Sequence, residues 1–321
     1  MTGGEQMTTL ITGVGLIGTA FAKLAIDRGE KVVFVDSEPR ADYLAEKLGS
    51  SSVTSVRRDV RDLPALVETM TANGVDTVVH TAGLIGGRVA DPLYTGLQIN
   101  IGGTINVCEA VRLAGVKRLV HISTFGVYDR DKEGDTPLTE SLPLWSDRGY
   151  PASKIANELI VNTYATQYGF ELVVLRPANV YGVGHFWAGS GGGEVLQRLV
   201  AAGIKGETIE MPVVRDFEYV YAKDVGHAVD LAATVPQPTQ RAFNVGNGEI
   251  TSFADLVEAA KRSMPGLNVV PTGGSADGIK QAMDLSASKQ GLGWEPRYSL
   301  ADGLADYASE LKASLGWVDG A

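Results

Sequence analysis

The first half of the chain repeats one unit. A burst of four to seven apolar residues is followed by an amphipathic stretch, and then by another burst. TTLIT (8–12), KVVFVD (31–36), SVTSV (52–56), VDTVVHTAG (75–83), VKRLVHIS (116–123) and FELVVLRP (170–177) read as strands. LIGTAFAKLAIDRG, DYLAEKLG, LPALVETMTANG, NIGGTINVCEAVRLAG and YPASKIANELIVNTYATQYG read as the helices between them. Strands that are apolar on both faces and alternate with helices predict a parallel sheet covered on both sides. The crossovers are then right-handed, and ligands gather at the carboxyl ends of the strands. The expectation for 7–177 is therefore a Rossmann-type, doubly wound α/β core.

After Pro177 the rhythm loosens. Residues 182–195, GVGHFWAGSGGGEV, are glycine-rich and read as a loop shaped for a ligand. Further helices and short strands supply a smaller α/β substrate lobe over 178–321. That lobe is interleaved with the core, and some of its elements return to the main sheet. No internal repeat or low-complexity linker separates the two.

The bulk numbers narrow the partners. A formal net charge of −10 over 321 residues opposes binding to a phosphate backbone, which excludes nucleic acid as the expected partner. The single cysteine, Cys108, suits a reducing cytoplasm and reads as a small core residue. No apolar run reaches the roughly 18 residues needed to span a bilayer. The opening MTGGEQ lacks the basic and apolar regions of a secretory signal and reads as a leader before the first strand. No metal site is expected, because His80, His121 and His227 read as packed side chains and no acid or thiol clusters with them.

Within this frame LITGVGLIGTAFAKL has the context of a dinucleotide cradle. Gly13 follows an apolar strand, and Gly18 opens an amphipathic helix. Gly13 permits the tight turn, Gly15 lets backbone approach a pyrophosphate, and Gly18 lets helix and strand pack closely. Leu16 and Ile17 open the helix whose N-terminus receives the negative charge. Asp36 ends the second strand, where a carboxylate accepts from both ribose hydroxyls and repels a 2′-phosphate, so NAD is the expected cofactor. Arg40 acts against that preference.

In GYPASKIANE, Tyr150 and Lys154 stand four apart on a helix and share a face. An ammonium one turn from a phenol is expected to bring its pKa toward the working range. Ser123 and Thr124 follow a parallel strand's carboxyl end, where a hydroxyl can hold the substrate oxygen.

Taken in order, TGVGLIG, Asp36, RDVRD (58–62), HTAG (80–83), NIGGTINV (100–107), STFGVY (123–128), YPASK (150–154), LRPANVYG (175–182), RDFEYVYAKDV (215–225), FNVGNGE (243–249) and LGWEPRYSLADGL (292–304) resemble an extended short-chain dehydrogenase/reductase of the NAD-dependent epimerase/dehydratase family. The resemblance implies a catalytic set of Thr124, Tyr150 and Lys154. It implies that Asp59 and Val60 flank adenine, and that Thr81, Ala82 and Gly83 lie under the nicotinamide ribose. It places Asn100, Arg176 and Pro177 beside the cofactor. Ser123, Asn179, His185, Trp187 and Arg215 become candidate substrate contacts. It also implies a homodimer through the helices that carry Asn100 and Tyr150.

The chain departs from the family's pattern in three places. Its glycine loop is one residue shorter than the usual G-x-x-G-x-x-G. Thr124 is followed by Phe125-Gly126 rather than the Asp-Glu pair of a dehydratase. IEMPVVRD replaces the Gly-Asp-Gly hairpin that precedes the arginine in nucleotide-sugar epimerases. These departures tilt the expectation toward an NAD-dependent dehydrogenase acting on a sugar, sugar acid or similar hydroxylated compound. An NAD-dependent (nucleotide-)sugar epimerase stands second, and a non-catalytic NAD(H)-binding scaffold third.

Overall fold

The structure is a computed structural model and describes residues 6–49, 53–129, 136–184, 191–275 and 278–313. The first half runs β1 (Thr8–Thr12), α1 (Leu16–Asp27), β2 (Lys31–Asp36), α2 (Ala41–Leu48), β3 (Val53–Arg57), α3 (Leu63–Asn73), β4 (Thr77–His80), α4 (Leu93–Leu97), α5 (Gly103–Ala114), β5 (Arg118–Ile122), α6 (Gly149–Tyr168) and β6 (Glu171–Pro177). The second half runs β7 (Asn179–Tyr181), α7 (Gly191–Lys205), β8 (Thr208–Val213), β9 (Tyr219–Tyr221), α8 (Ala222–Thr234), β10 (Ala242–Val245), α9 (Phe253–Ser263), β11 (Asn268–Gly274), α10 (Ser286–Leu292) and α11 (Leu300–Ala313).

Seven strands form one parallel sheet in the order β10-β6-β5-β4-β1-β2-β3. The chain winds outward from β1 to β3, then crosses back to place β4 on the other side of β1. That reversal opens a crevice above the carboxyl ends of β1 and β4. Alternate strand residues feed two separate cores. Leu10, Val33, Val78, Leu119 and Leu172 pack with Leu66 and Met70 of α3, Val107 and Val111 of α5, and Val161 of α6. Ile11, Phe34, Val79, Val120 and Val173 pack on the opposite face with Phe21 and Ala25 of α1 and Val225 and Val229 of α8. This two-sided burial is why the strands read as unbroken apolar bursts. β3, on the edge, keeps exposed polar residues.

Helix ends follow local chemistry. Asp62 caps α3 by accepting from the Ala65 N–H, and Gly74 ends that helix in the left-handed region. Ser252 caps α9 through the Asp255 N–H.

Two expectations change. The helix expected through 100–115 is not uniform: Gln98–Gly102 forms a π-type turn before α5 begins. Part of the glycine-rich stretch is helical, because α7 starts at Gly191. The reason is close packing: a Cβ at Gly192 would lie 3.0 Å from Asn179 Oδ1.

In the second half β10 joins the main sheet beside β6, and α8 packs on α1. β8 pairs with β11, and β7 with β9, in two small parallel sheets. The segment 294–298 is fastened by α8: Asp224 accepts from the Arg297 N–H at 2.9 Å and the Tyr298 N–H at 3.2 Å, while the fully buried Trp294 indole donates to its carbonyl at 3.0 Å. No helix among the described residues is long and apolar enough to cross a membrane.

Removing the Asp224 carboxylate strands two backbone donors. Asp224→Ala is expected to cost about 2–3 kcal/mol, and Asp224→Asn less, as read by urea unfolding. Equal stability of all three proteins would show that this carboxylate does not fasten the segment.

Candidate active site

The glycine loop builds a cleft of about 490 Å³ at the switch point. Gly13 has φ +91°, and a Cβ there would lie 2.7 Å from Thr81 Oγ1 and 3.0 Å from the Ala82 nitrogen. A Cβ at Gly18 would meet the Gly13 carbonyl at 2.9 Å and Ile11 Cγ2 at 3.0 Å. Gly15 differs: a Cβ there meets nothing within 4 Å. It is the N-cap of α1 with no side-chain cap, so the helix's first N–H groups face a cleft that Gly13, Gly15, Leu16 and Ile17 line. Gly18 lies beneath the loop and shapes it from behind. Asp36 shares this cleft. Its Oδ2 accepts from the Val14 N–H at 2.6 Å and its Oδ1 from the Glu38 N–H at 2.8 Å. A carboxylate has about four acceptor positions, so two remain for a ligand's hydroxyls.

The same cleft is lined by Asp59, Val60, Thr81, Ala82 and Gly83, with Arg40, Arg58, Arg61 and Arg88 around it. Arg61 holds Asp59 below the usual carboxylate range through a hydrogen-bonded ion pair. Thr81 turns its hydroxyl inward to the Thr12 carbonyl at 2.6 Å. Asn100 does not line this cleft. It clasps the next residue of the loop, accepting from the Leu84 N–H at 2.7 Å and donating to the Leu84 carbonyl at 3.0 Å. It also donates to Ser153 Oγ of α6 at 3.1 Å. The π-type turn delivers this side chain, and it positions the loop from behind.

His80 locks the turn to β1. Thr104 donates to the Asn100 carbonyl at 2.6 Å, so its oxygen accepts from His80 Nε2–H at 3.0 Å. Nδ1 is then the acceptor for the Thr12 hydroxyl at 2.7 Å. Burial pushes His80 down to about 3, so this neutral tautomer persists. His121, its centroid 5.3 Å from His80, is fully buried and held neutral in the same way. Cys108 is a core thiol that burial pushes up to about 12.

Thr124, at the end of β5, is hydrogen-bonded to the Tyr150 side chain and also accepts from the Gly126 N–H at 3.2 Å. Lys154, one turn along α6, is buried and donates to the Ile122 carbonyl at 2.8 Å. The three residues expected to act together are thus brought to one strand end. Their electrostatics differ from the expectation. Burial pushes Tyr150 up to about 12, against which Thr124 pulls, and Lys154 is not among the groups that move it. Lys154 itself is pushed down to about 8 by burial, with the Glu158 carboxylate acting the other way. Its ammonium donates to the strand carbonyl.

Ser123, Arg176, Pro177 and Asn179, expected at the ligand, make contacts within the scaffold. Ser123 gives its hydroxyl to Glu158 Oε1 at 2.5 Å. Arg176 grips both oxygens of Glu158, at 3.0 and 2.7 Å, and donates to Tyr128 Oη and the Glu140 carbonyl, each at 3.1 Å. Pro177 ends β6 in register with Val245. Asn179 donates to the Glu218 carbonyl at 3.1 Å and seats α7 through Gly192, so its side chain is a joint between elements. Arg215 is exposed and has no ion pair among the described residues. His185 and Trp187 lie outside the described residues.

Sequence reading passed over Glu158, the hub of this network, and Glu218, whose carboxylate accepts from the Gly248 and Met283 N–H groups at 2.9 and 2.8 Å. The first had a signal: it stands four residues beyond Lys154, as Lys154 stands four beyond Tyr150.

Residues 9–246 match the description NAD dependent epimerase/dehydratase family. UDP-glucose 4-epimerase of Mycolicibacterium smegmatis is 31% identical over 93% of this chain and 96% of that protein. dTDP-glucose 4,6-dehydratase of Streptomyces antibioticus is 27% identical over 97% of this chain and 94% of that protein. Among solved structures, MoeE5 in complex with UDP-glucuronic acid and NAD superposes with a TM-score of 0.80 at 28% identity, covering 96% of this chain and 99% of that one. UDP-glucose 4-epimerase of Thermotoga maritima with UDP-glucose shares the fold at a TM-score of 0.84 and 24% identity, covering 96% of this chain and 100% of that one.

The loop's glycines make a contrast that can be measured. Gly13→Ala forces an unfavourable φ and a backbone clash, for an expected loss of about 2 kcal/mol. Gly15→Ala should change stability by less than about 0.5 kcal/mol. Thermal unfolding of the two variants reads the difference, and equal losses would mean that Gly15 is not in open space.

Proposed function

The chain belongs to the NAD dependent epimerase/dehydratase family, and within it we propose that it is a nucleotide-sugar epimerase that inverts a ring hydroxyl, with UDP-glucose as the substrate to try first. One observation carries the reading: Thr124 and Tyr150 are hydrogen-bonded above the buried Lys154, and the residues that follow Thr124 are Phe125 and Gly126. Neither can move a proton, so the elimination of water that a dehydratase performs has no acid–base pair in that position. The end-to-end likeness to UDP-glucose 4-epimerase favours epimerisation over the dehydrogenase suggested by the missing hairpin.

The cleft suits NAD. The uncapped start of α1 and the open space at Gly15 take the pyrophosphate, Asp36 the adenosine ribose, Asp59 and Val60 the adenine edge, and Thr81 to Gly83 the second ribose. NAD, when bound, supplies the carbon that takes up and returns a hydride. The chain's residues handle the proton. Tyr150 Oη removes it from the sugar hydroxyl and gives it back, and Thr124 Oγ1 orients that phenol and the substrate oxygen. Lys154 would hold the second ribose beside the loop that Asn100 clasps. Arg215, exposed and without an ion pair among the described residues, is offered to the substrate's diphosphate.

Incubation with UDP-glucose and NAD tests this. Conversion to the inverted sugar without net NADH is the expected result. NADH accumulating in step with product would make the chain a dehydrogenase, and neither outcome in the presence of bound NAD would leave the scaffold reading. Tyr150→Phe should lower kcat by about 10²–10⁴-fold while NAD affinity stays within about threefold. A variant with near-normal kcat would remove Tyr150 from the proton transfer.

A further inference from the structure

We propose that Tyr43 is a positioning residue for the dinucleotide: its hydroxyl fastens the backbone at Val183–Gly184 to the first turn of α1 and so fixes one wall of the cofactor cleft. The inference rests on the reading that this cleft holds NAD.

Tyr43 belongs to α2, its ring is buried, and its oxygen lies between two segments far apart in sequence. It is 2.8 Å from Thr19 Oγ1 on α1 and donates to the Val183 carbonyl at 3.1 Å. A carbonyl only accepts, so the bond to Val183 uses the phenol's one proton; Thr19 Oγ1 also lies 3.0 Å from the Gly15 carbonyl and 3.3 Å from the Leu16 carbonyl, so its own proton has three acceptors within reach. The contacts run from the Gly15 carbonyl through the Thr19 and Tyr43 hydroxyls to the Val183 carbonyl. Burial raises the Tyr43 pKa and keeps the phenol's proton in place. Thr19 is itself tied to the cradle, since its N–H bonds the Gly15 carbonyl at 3.0 Å.

The far end of the chain of bonds reaches the cleft. Gly184 lines it together with Gly13, Gly15 and Asp36. Gly184 has φ +114°, and a Cβ there would lie 2.2 Å from Tyr43 Oη and 3.1 Å from Leu16 Cα. The backbone at 184 thus rests directly on the loop where the pyrophosphate is proposed to sit. The Tyr43 hydroxyl joins the two through Thr19 and Val183. The phenol touches no reacting group, so its role is to hold the wall and slow the cofactor's exit.

The test compares NADH affinity and release rate, read by fluorescence during a chase with excess NAD, in the full-length chain and four variants. Tyr43→Phe keeps the ring and removes the bond. Thr19→Val removes the hydroxyl at the other end, and Thr19→Ser retains it. Asp36→Ala reports on the cleft itself. Expected are a 5- to 10-fold rise in Kd and release rate for Tyr43→Phe (about one hydrogen bond), a similar rise for Thr19→Val, wild-type behaviour for Thr19→Ser, and kcat at saturating NAD within about twofold of wild type. The double variant should be no worse than either single one, because both cut one chain of bonds. Should Tyr43→Phe not fold, the Thr19 pair carries the comparison. Wild-type affinity in Tyr43→Phe and Thr19→Val while Asp36→Ala is weakened would overturn the inference alone. Wild-type affinity in all of them would overturn the cleft assignment, and the inference with it.

Discussion

A buried lysine organises the catalytic end of this molecule. Lys154, buried, donates a hydrogen bond to the Ile122 carbonyl at the last residue of β5. A buried ammonium is costly unless it is satisfied, so the bond fixes how far α6 slides along the sheet. One turn back, the same helix face presents Tyr150 to Thr124. One turn forward it presents Glu158, whose carboxylate joins Ser123 and Arg176. Three positions spaced by four residues therefore carry the phenol proposed as the base, the anchor and the counter-charge, and α6 cannot rotate without disturbing all of them.

Behind that helix the polar groups form closed chains. Arg176 links Glu158 to Tyr128, Tyr128 donates to Asn244 Oδ1 at 2.5 Å, and Asn244 donates to the Leu138 and Asp284 carbonyls. The Glu158–Arg176 pair is almost fully enclosed. Removing one member of such a pair leaves a buried charge at a cost of several kcal/mol, so its role is to hold one arrangement of strand ends and segment 138–140. On the other side of the sheet's switch point, His80 and Asn100 do the same for the loop at Leu84. The cofactor cleft and the catalytic residues are thus held by separate networks that meet at α6 through Ser153.

The sheet was legible because its strands are buried on both faces, which leaves bursts such as KVVFVD with no polar alternation to confuse the reading. The cradle was legible because each glycine has a distinct steric reason, and the structure separates them: close packing at Gly13 and Gly18, open space at Gly15. Side-chain roles were harder to read. Arg176 and Ser123 stand at the right strand ends for ligand contact, and a linear pattern does not show that Glu158, a helix away in sequence, has already engaged both. The π-type turn that aims Asn100 leaves no mark in a helical periodicity. The glycines after 190 looked like loop, since packing against Asn179 is a tertiary demand that overrides helix propensity.

The electrostatics of Tyr150 remain the point on which the enzymatic account turns. Burial pushes this phenol up to about 12, and Lys154 donates to the Ile122 carbonyl. A proton acceptor working near neutral pH then requires the positive ring of bound oxidised NAD to draw the phenol down. The direct measurement is the ultraviolet difference titration of tyrosinate, wild type minus Tyr150→Phe, with and without NAD. A titration that falls by two or more units on binding NAD is the predicted result. A Tyr150 that still titrates near 12 in the NAD complex would contradict its assignment as the base.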